Sequence, residues 1–548
     1  MQDKALAGLG ATKKQYVMGI DVGTGSARAG LFDTQGELIA VAKQDIVLFS
    51  EGSSRFEQSS EDIWSAVCFC ARDVIKQAGV DPSVVIGIGF DATCSLVVIG
   101  QGDKPLAVGD HEIAERNIIV WMDHRATDQA ERINAAGHDV LRYVGNRISP
   151  EMETPKLLWL KENRPDTFTA AHHFFDLTDY LGWRATGSLD RSICTTTCKW
   201  TYLGHERRWD ESYFRSIGLS ELADESFKRI GTNVVDAGSA LSEGISDVAA
   251  ADLGLVAGTA VAAGLIDAHA GGLGTVGAGD QSDDGATTRM AYVFGTSACT
   301  MTSTTEPAFV PGVWGPYFSA MVPGLWLNEA GQSAAGAAID YLVSFHPAAA
   351  AAKQSARDQG VGLTTWLADK ALADAEDASS VARLADGLHV VPEFLGNRAP
   401  FADPDARGLI AGLDMDKSVD SLVRLYIAGV CGLGYGLRQI IEAQRAENVD
   451  ISTIVVSGGA GQNPLVRQLL ADTTQIQIAA PKTAEPVLLG SAMLGSVAAG
   501  CYDNLARAMA SMSAMGAMYA PVEGSLQEWH GRRYENFELL QSVGRKLR

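Results

Sequence analysis

The stretch YVMGIDVGTGSAR, Tyr16 to Arg28, sets the reading of the fold. Its apolar start predicts a strand, Tyr16–Ile20, that runs into Asp21 and a loop with two glycines ending at Ser26. A second strand, Arg28–Phe32, follows at once. The turn residues Asp33-Thr34-Gln35-Gly36 lead to a third, Leu38–Ala42. The chain therefore opens as an antiparallel meander with a glycine-rich first hairpin. Such a loop lets its backbone approach a ligand closely, and successive N–H groups in it make an anion-binding concavity. Thr24 and Ser26 add hydroxyl donors, Gly25 adds room and Arg28 adds a cation. Asp21 can hold Mg²⁺ directly or through water. The same residues also read as an ordinary hairpin with surface hydroxyls.

The pattern returns later in the chain. Ser60–Ala78 is helical by the spacing of Ile63, Val67, Ala71 and Ile75, and Val84–Phe90 and Leu96–Ile99 read as strands. Between Ala185 and Phe227 the pattern weakens into turns and short elements. Val261–Leu265 reads as a buried strand ending at Ile266-Asp267, and the acidic, glycine-rich Gly277–Gly285 as a linker. Arg289–Phe294 is then a strand ending in Gly295-Thr296-Ser297, with Thr300–Ser303 as its hairpin partner. Ile454–Val456 is a strand before Ser457-Gly458-Gly459-Ala460-Gly461. Ala348–Ala352 and Ala371–Ala378 are alanine-rich and predicted helical. The expected architecture is α/β: two similar domains, 15–275 and 286–505, facing each other across a cleft, with a tail, 506–548, packed on the second.

Composition narrows the function classes. The 548 residues carry 44 Lys+Arg against 66 Asp+Glu, a net charge of −22, which disfavours a nucleic-acid binder. At 46% hydrophobic and 20% charged, the chain is too apolar for disorder and long enough for two cores. The longest apolar stretch, Leu253–Ile266, is broken by Gly254, Gly258, Thr259 and Gly264, so no membrane span is expected. Met1–Tyr16 lacks the apolar centre of a secretory signal. Eight scattered cysteines in a chain of this length suit a reducing cytoplasm rather than a disulfide framework. Cys194-x3-Cys198 has no second ligand pair close by in sequence, which argues against zinc.

Further groups suggest chemistry. Asp267 ends an apolar strand at the inferred cleft, where a carboxylate can take a proton from an alcohol; its position equally fits a helix N-cap. His269 reads as a packed helix residue. Small residues at Gly459 and Ala460 leave room for an adenine or ribose. Asn463 before Pro464 reads as a helix cap, which is compatible with that use. Gly87-Ile-Gly89-Phe-Asp-Ala92 matches a dinucleotide-binding pattern, but the following Thr93–Ile99 reads as strand where a helix is required. No Gly-Lys pair occurs, so a Walker-A loop is absent.

Taken together, Asp21–Arg28, Phe294–Ser297, Ser457–Asp472 and Asn397–Gly408 resemble the motifs of the FGGY carbohydrate kinases, relatives of actin and hexokinase, over roughly Tyr16 to Gly500. The resemblance implies two ribonuclease H-like domains flanking a central cleft for ATP and sugar. Within the family, Thr93-Cys94-Ser95-Leu96-Val97 resembles the segment of D-ribulose kinases, and Trp121-Met122-Asp123-His124-Arg125 the sugar-binding segment.

What the resemblance implies is ATP-dependent phosphorylation of a ketopentose, D-ribulose at position 5, with Asp267 as general base and Mg²⁺ near Asp21. Sugar contacts fall to Thr93, Ser95, Trp121, Asp123, Lys199 and Glu329. Nucleotide contacts fall to Thr24, Gly25, Ser26, Arg28, Gly295, Thr296, Gln332, Gly459, Ala460 and Asn463. Lys199 also reads as a surface lysine, Glu329 as a first-turn helix acid and Trp121 as core packing. The partners implied are sugar and ATP, with self-association into a homodimer or other homo-oligomer. Alternatives are a kinase for L-ribulose, xylulose or ribitol, an actin-fold ATPase that binds protein, and a sugar sensor without catalysis.

Overall fold

The structure, a computed structural model, describes residues 14–278 and 285–548. Most of Met1–Tyr16 and most of the expected linker lie outside the described residues. The first sheet contains β1 (Tyr16–Val22), β2 (Ser26–Asp33), β3 (Leu38–Asp45), β4 (Val85–Ala92), β5 (Ala260–Val261) and β6 (Leu265–Ile266). β1, β2 and β3 form the antiparallel meander, β4 lies parallel to β1, and β5 and β6 both lie parallel to β4. The second sheet repeats this plan with β7 (Arg289–Phe294), β8 (Ala298–Thr304), β9 (Trp326–Gln332), β10 (Thr453–Ser457) and β11 (Gln477–Pro481). β7, β8 and β9 are antiparallel, β10 lies parallel to β7, and β11 lies parallel to β10. The internal repeat is thus a repeat of topology, two ribonuclease H-like α/β units.

Local sequence explains the elements. The helix Ser60–Ala78 starts at a Ser59 cap on Asp62 N–H and stops at Gly79, whose φ of 65° is left-handed. Two expectations need correction. Val261–Leu265 is two short pieces, because Ala263 N–H bonds to Ser239 O while Ala262 N–H stays on Ile88 O, so the strand divides between two partners. Ala371–Ala378 is mostly turn, since the helix Leu363–Leu372 ends there. Beyond it Asp377 and Ser380 exchange hydrogen bonds, and short polar side chains favour such caps over a helix interior.

The two units are locked by the helix Pro486–Ala498, which lies on β1 and β4 and against the helix Asp267–Val276. Backbones meet there without intervening side chains. A Cβ on Gly19 would lie 1.9 Å from Leu488 O, and one on Gly490 would lie 2.0 Å from Ala270 O. The C-terminal stretch adds an edge strand, Met515–Tyr519, beside β11, and the helix Ser525–Lys546 buries Trp529, Tyr534 and Phe537. Among the described residues no helix is long and apolar enough to cross a membrane.

Candidate active site

Three parallel strands of the first sheet end at the same level, at Val22, Ala92 and Ile266, with Asp21 and Asp91 one residue before the end and Asp267 one residue after. Asp21 on β1 is the register partner of Asp91 on β4, and Leu265 on β6 is also the partner of Asp91, which places Asp267 next along. Crevices at the carboxyl ends of parallel strands are where α/β sheets bind ligands. Burial, and then the neighbouring charge of Asp21, push Asp91 well above the ordinary carboxylate range, which favours its protonated form. Ser491 donates to its Oδ2. Burial and Asp21 also push Asp267 up, to about 6.

Asp267 is not the N-cap of its helix; Ile266 holds that position, and among the described residues Asp267 accepts only the N–H of Ala268 at 2.7 Å. Arg28 bonds Asp21 Oδ2 through Nε at 2.9 Å and Glu485 Oε2 at 2.7 Å. The guanidinium is therefore committed to two carboxylates, which differs from a free phosphate-binding cation. These clustered hard oxygens suit Mg²⁺.

Beside the acids lie the small-residue loops. Gly23 N–H closes on Ser26 O at 3.0 Å, and Trp121 Nε1 donates to Thr24 Oγ1 at 3.0 Å. In the second unit, Ala335 and Ala337 N–H groups bond Thr296 O, and Gly336 N–H bonds Gly295 O, so this loop is fixed to a helix start. The third loop adjoins it: a Cβ on Gly458 would meet Phe294 O at 2.6 Å. Above Gly25 and Gly459 there is open space, and above Gly295 only its own loop. That open backbone, with the exposed Thr296, fits a polyphosphate and nucleoside laid across the loops. Asn463 caps its helix through Leu465 N–H. Gln332 is held in place by its neighbours: its amide accepts from Tyr292 OH at 2.7 Å and donates to Leu433 O at 3.0 Å.

A second cluster of side chains joins the halves. Lys199 is buried, not a surface lysine, and sits 5.7 Å over the Trp314 ring. Burial opposes its charge, yet Cys94 and Glu329 outweigh that and hold its pKa above the ordinary lysine range. Glu329 lies in β9 rather than in a helix turn. Burial works against its charge too, but His269, Lys199 and Arg398 together hold it at about 2. Thr93 and Ser95 share a hydrogen bond at 3.1 Å, and Ser95 Oγ accepts Trp121 N–H at 3.1 Å, so Ser95 fixes the half-buried Trp121.

Asp123 has both oxygens taken. Arg125 bonds each of them, and Phe56 N–H bonds Oδ2 at 2.6 Å. We therefore assign Asp123 to holding its loop rather than to touching sugar. Sequence reasoning passed over Asp91 and Arg398, and read His269 only as a packed helix residue, which it is. Asp91 had a detectable signal, an acid ending a buried strand as at Asp21 and Asp267. Arg398 had none before folding.

Comparison with known proteins agrees with this geometry. The model for the FGGY family of carbohydrate kinases, N-terminal domain, matches residues 16–274, and that for its C-terminal domain matches 290–499. The chain is 45% identical over 530 residues to an FGGY carbohydrate kinase domain-containing protein of Danio rerio, covering 95% of this chain and 96% of the relative. It is 40% identical over 519 residues to a D-ribulokinase of Saccharomyces cerevisiae, covering 89% of this chain and 72% of the relative. A crystal structure of a xylulose kinase from Rhodospirillum rubrum superposes with a TM-score of 0.78 at 20% identity, covering 97% of this chain and 99% of that one. With matching models across both units and an acid-tipped sheet facing open small-residue loops, the chain belongs to the FGGY family of carbohydrate kinases.

Proposed function

We propose that this carbohydrate kinase transfers the γ-phosphate of ATP to the terminal hydroxyl of D-ribulose, giving D-ribulose 5-phosphate, with Asp267 as general base. The observation that carries the mechanism is the convergence of Asp21, Asp91 and Asp267 at the ends of β1, β4 and β6. Support for the substrate is the 40% identity to the yeast D-ribulokinase and the Thr93–Val97 segment.

Phosphoryl transfer asks little covalent work of a protein; positioning and electrostatics carry it. Asp267 takes the proton of the attacking hydroxyl. Its pKa of about 6 leaves it ionised at neutral pH yet basic enough to help. Backbone N–H groups of residues 24–26 and 296–297 meet the charge on the phosphate oxygens, those of Gly23 and Gly295 being spent on Ser26 O and Ser297 O. Mg²⁺, held by Asp21, supplies neutralising charge on the phosphates when bound. Lys199, Glu329, Thr93 and Trp121 line the sugar side, with Ser95 and Asp123 bracing the Trp121 loop.

A coupled ADP-release assay over D-ribulose, L-ribulose, xylulose and ribitol tests the substrate. D-Ribulose is expected to give the highest kcat/KM. A better rate with another acceptor overturns that assignment and leaves the kinase standing.

A further inference from the structure

Cys194 and Cys198 lie four residues apart on the helix Ile193–Lys199, so their side chains share one face. That face meets the first turn of the helix Asp267–Val276. His269 Nδ1 is 3.1 Å from Cys194 Sγ, and the donor atoms of Cys194, Cys198 and His269 all lie within 4.8 Å of one another. All three residues are buried. The other ring nitrogen, Nε2, is buried with no hydrogen-bond partner among the described residues and lies 3.6 Å from Glu329 Oε2. In sequence, the lack of a second ligand pair near Cys194-x3-Cys198 argued against zinc; folding brings a third donor, His269, from another helix.

We infer that Cys194, Cys198 and His269 form a site for a thiophilic divalent cation, Zn²⁺ by its donor set. Two sulfurs and one imidazole nitrogen around a point are a known tetrahedral zinc set with one open position. The placement of Glu329 supports the site independently of the donor trio. A metal-binding imidazole almost always gives its other N–H to a carboxylate or carbonyl, which fixes the ring and the tautomer, and Glu329 stands on that side.

Binding releases the protons of both thiols and any proton on Nδ1, and among the described residues no fourth donor joins the three. Mg²⁺ prefers oxygen ligands in octahedral geometry and belongs with the strand-end acids instead. A bound cation would tie the helix carrying Lys199 to the helix headed by Asp267. The site is independent of which sugar is phosphorylated.

The test uses the full chain, stripped of metal by chelator dialysis and incubated overnight with one equivalent of Co²⁺ in excess Mg²⁺. The expected result is a thiolate-to-cobalt charge-transfer band with strong visible bands of a tetrahedral site, bleached by Zn²⁺. Glu329→Gln should weaken cobalt affinity about 10–100-fold, and Cys198→Ser should abolish the charge-transfer band. Because Cys198→Ser can fail to fold, X-ray absorption at the zinc edge on wild-type protein from Zn²⁺-supplemented medium gives a second readout, expected to show two sulfur and one imidazole ligand. Absence of the band together with absence of bound zinc overturns the inference, as does zinc bound without sulfur; the trio is then a hydrogen-bonded core.

Discussion

Asp21 and Asp91 are register partners on adjacent parallel strands, and burial beside Asp21 pushes the Asp91 carboxyl well above its ordinary range, toward the protonated form. Two close carboxylates cannot both ionise cheaply in a buried site. Asp91→Asn, neutral and nearly the same shape, should therefore keep kcat/KM within about fivefold. Asp91→Ala leaves the Ser491 hydroxyl without its acceptor and should destabilise the fold by about 1–3 kcal/mol. Steady-state kinetics and urea denaturation check the pair; a hundredfold loss in Asp91→Asn would mean the negative charge is needed.

Trp121 braces the first loop through its bond to Thr24 Oγ1. Trp121→Phe keeps the ring and removes the donor. A loss of about 1 kcal/mol should raise KM for ATP about fivefold with kcat little changed. An unchanged KM would detach Trp121 from nucleotide binding.

Gly490 lets two helices touch backbone to backbone at the junction of the units. Gly490→Ala must push them apart, at about 1–3 kcal/mol. The midpoint of urea unfolding should fall accordingly, and an unshifted midpoint would show that the junction yields easily.

His530 sets part of the acid limit of stability. Burial, then Arg533, Arg383 and Arg438, hold its pKa at about 3, against about 6.5 in an unfolded chain. Between those values the unfolded chain binds a proton that the folded one refuses, so its contribution is complete above pH 6.5 and is lost as pH falls toward 3. His530→Gln should lose less stability than wild type between pH 7.5 and 4.5, measured as Tm. Parallel pH profiles would contradict this.

The repeat of fold was legible because each meander begins with a strand that ends in small residues, as at Asp21–Ser26 and Phe294–Ser297. Asp267 was legible for the same reason, an acid closing an apolar strand. The partners of these residues were not. That Arg28 is spent on Asp21 and Glu485, that Gln332 turns to Tyr292, and that Asp123 is held by Arg125 are outcomes of side-chain packing between distant segments. Residue type tells what a side chain can bond, and only the fold tells which of its options has been used. His269 and Glu329 illustrate this most plainly, since they come from different units and meet across the cleft.

In the proposed mechanism, Asp267 removes the proton from the acceptor alcohol. Asp267→Asn keeps the shape and removes the base. Calorimetric titration of ATP and D-ribulose, beside turnover of the same variant, measures the two effects separately. Binding of both within about threefold of wild type, with kcat lowered about 10²–10⁴-fold, is the predicted result; kcat within tenfold of wild type would contradict it.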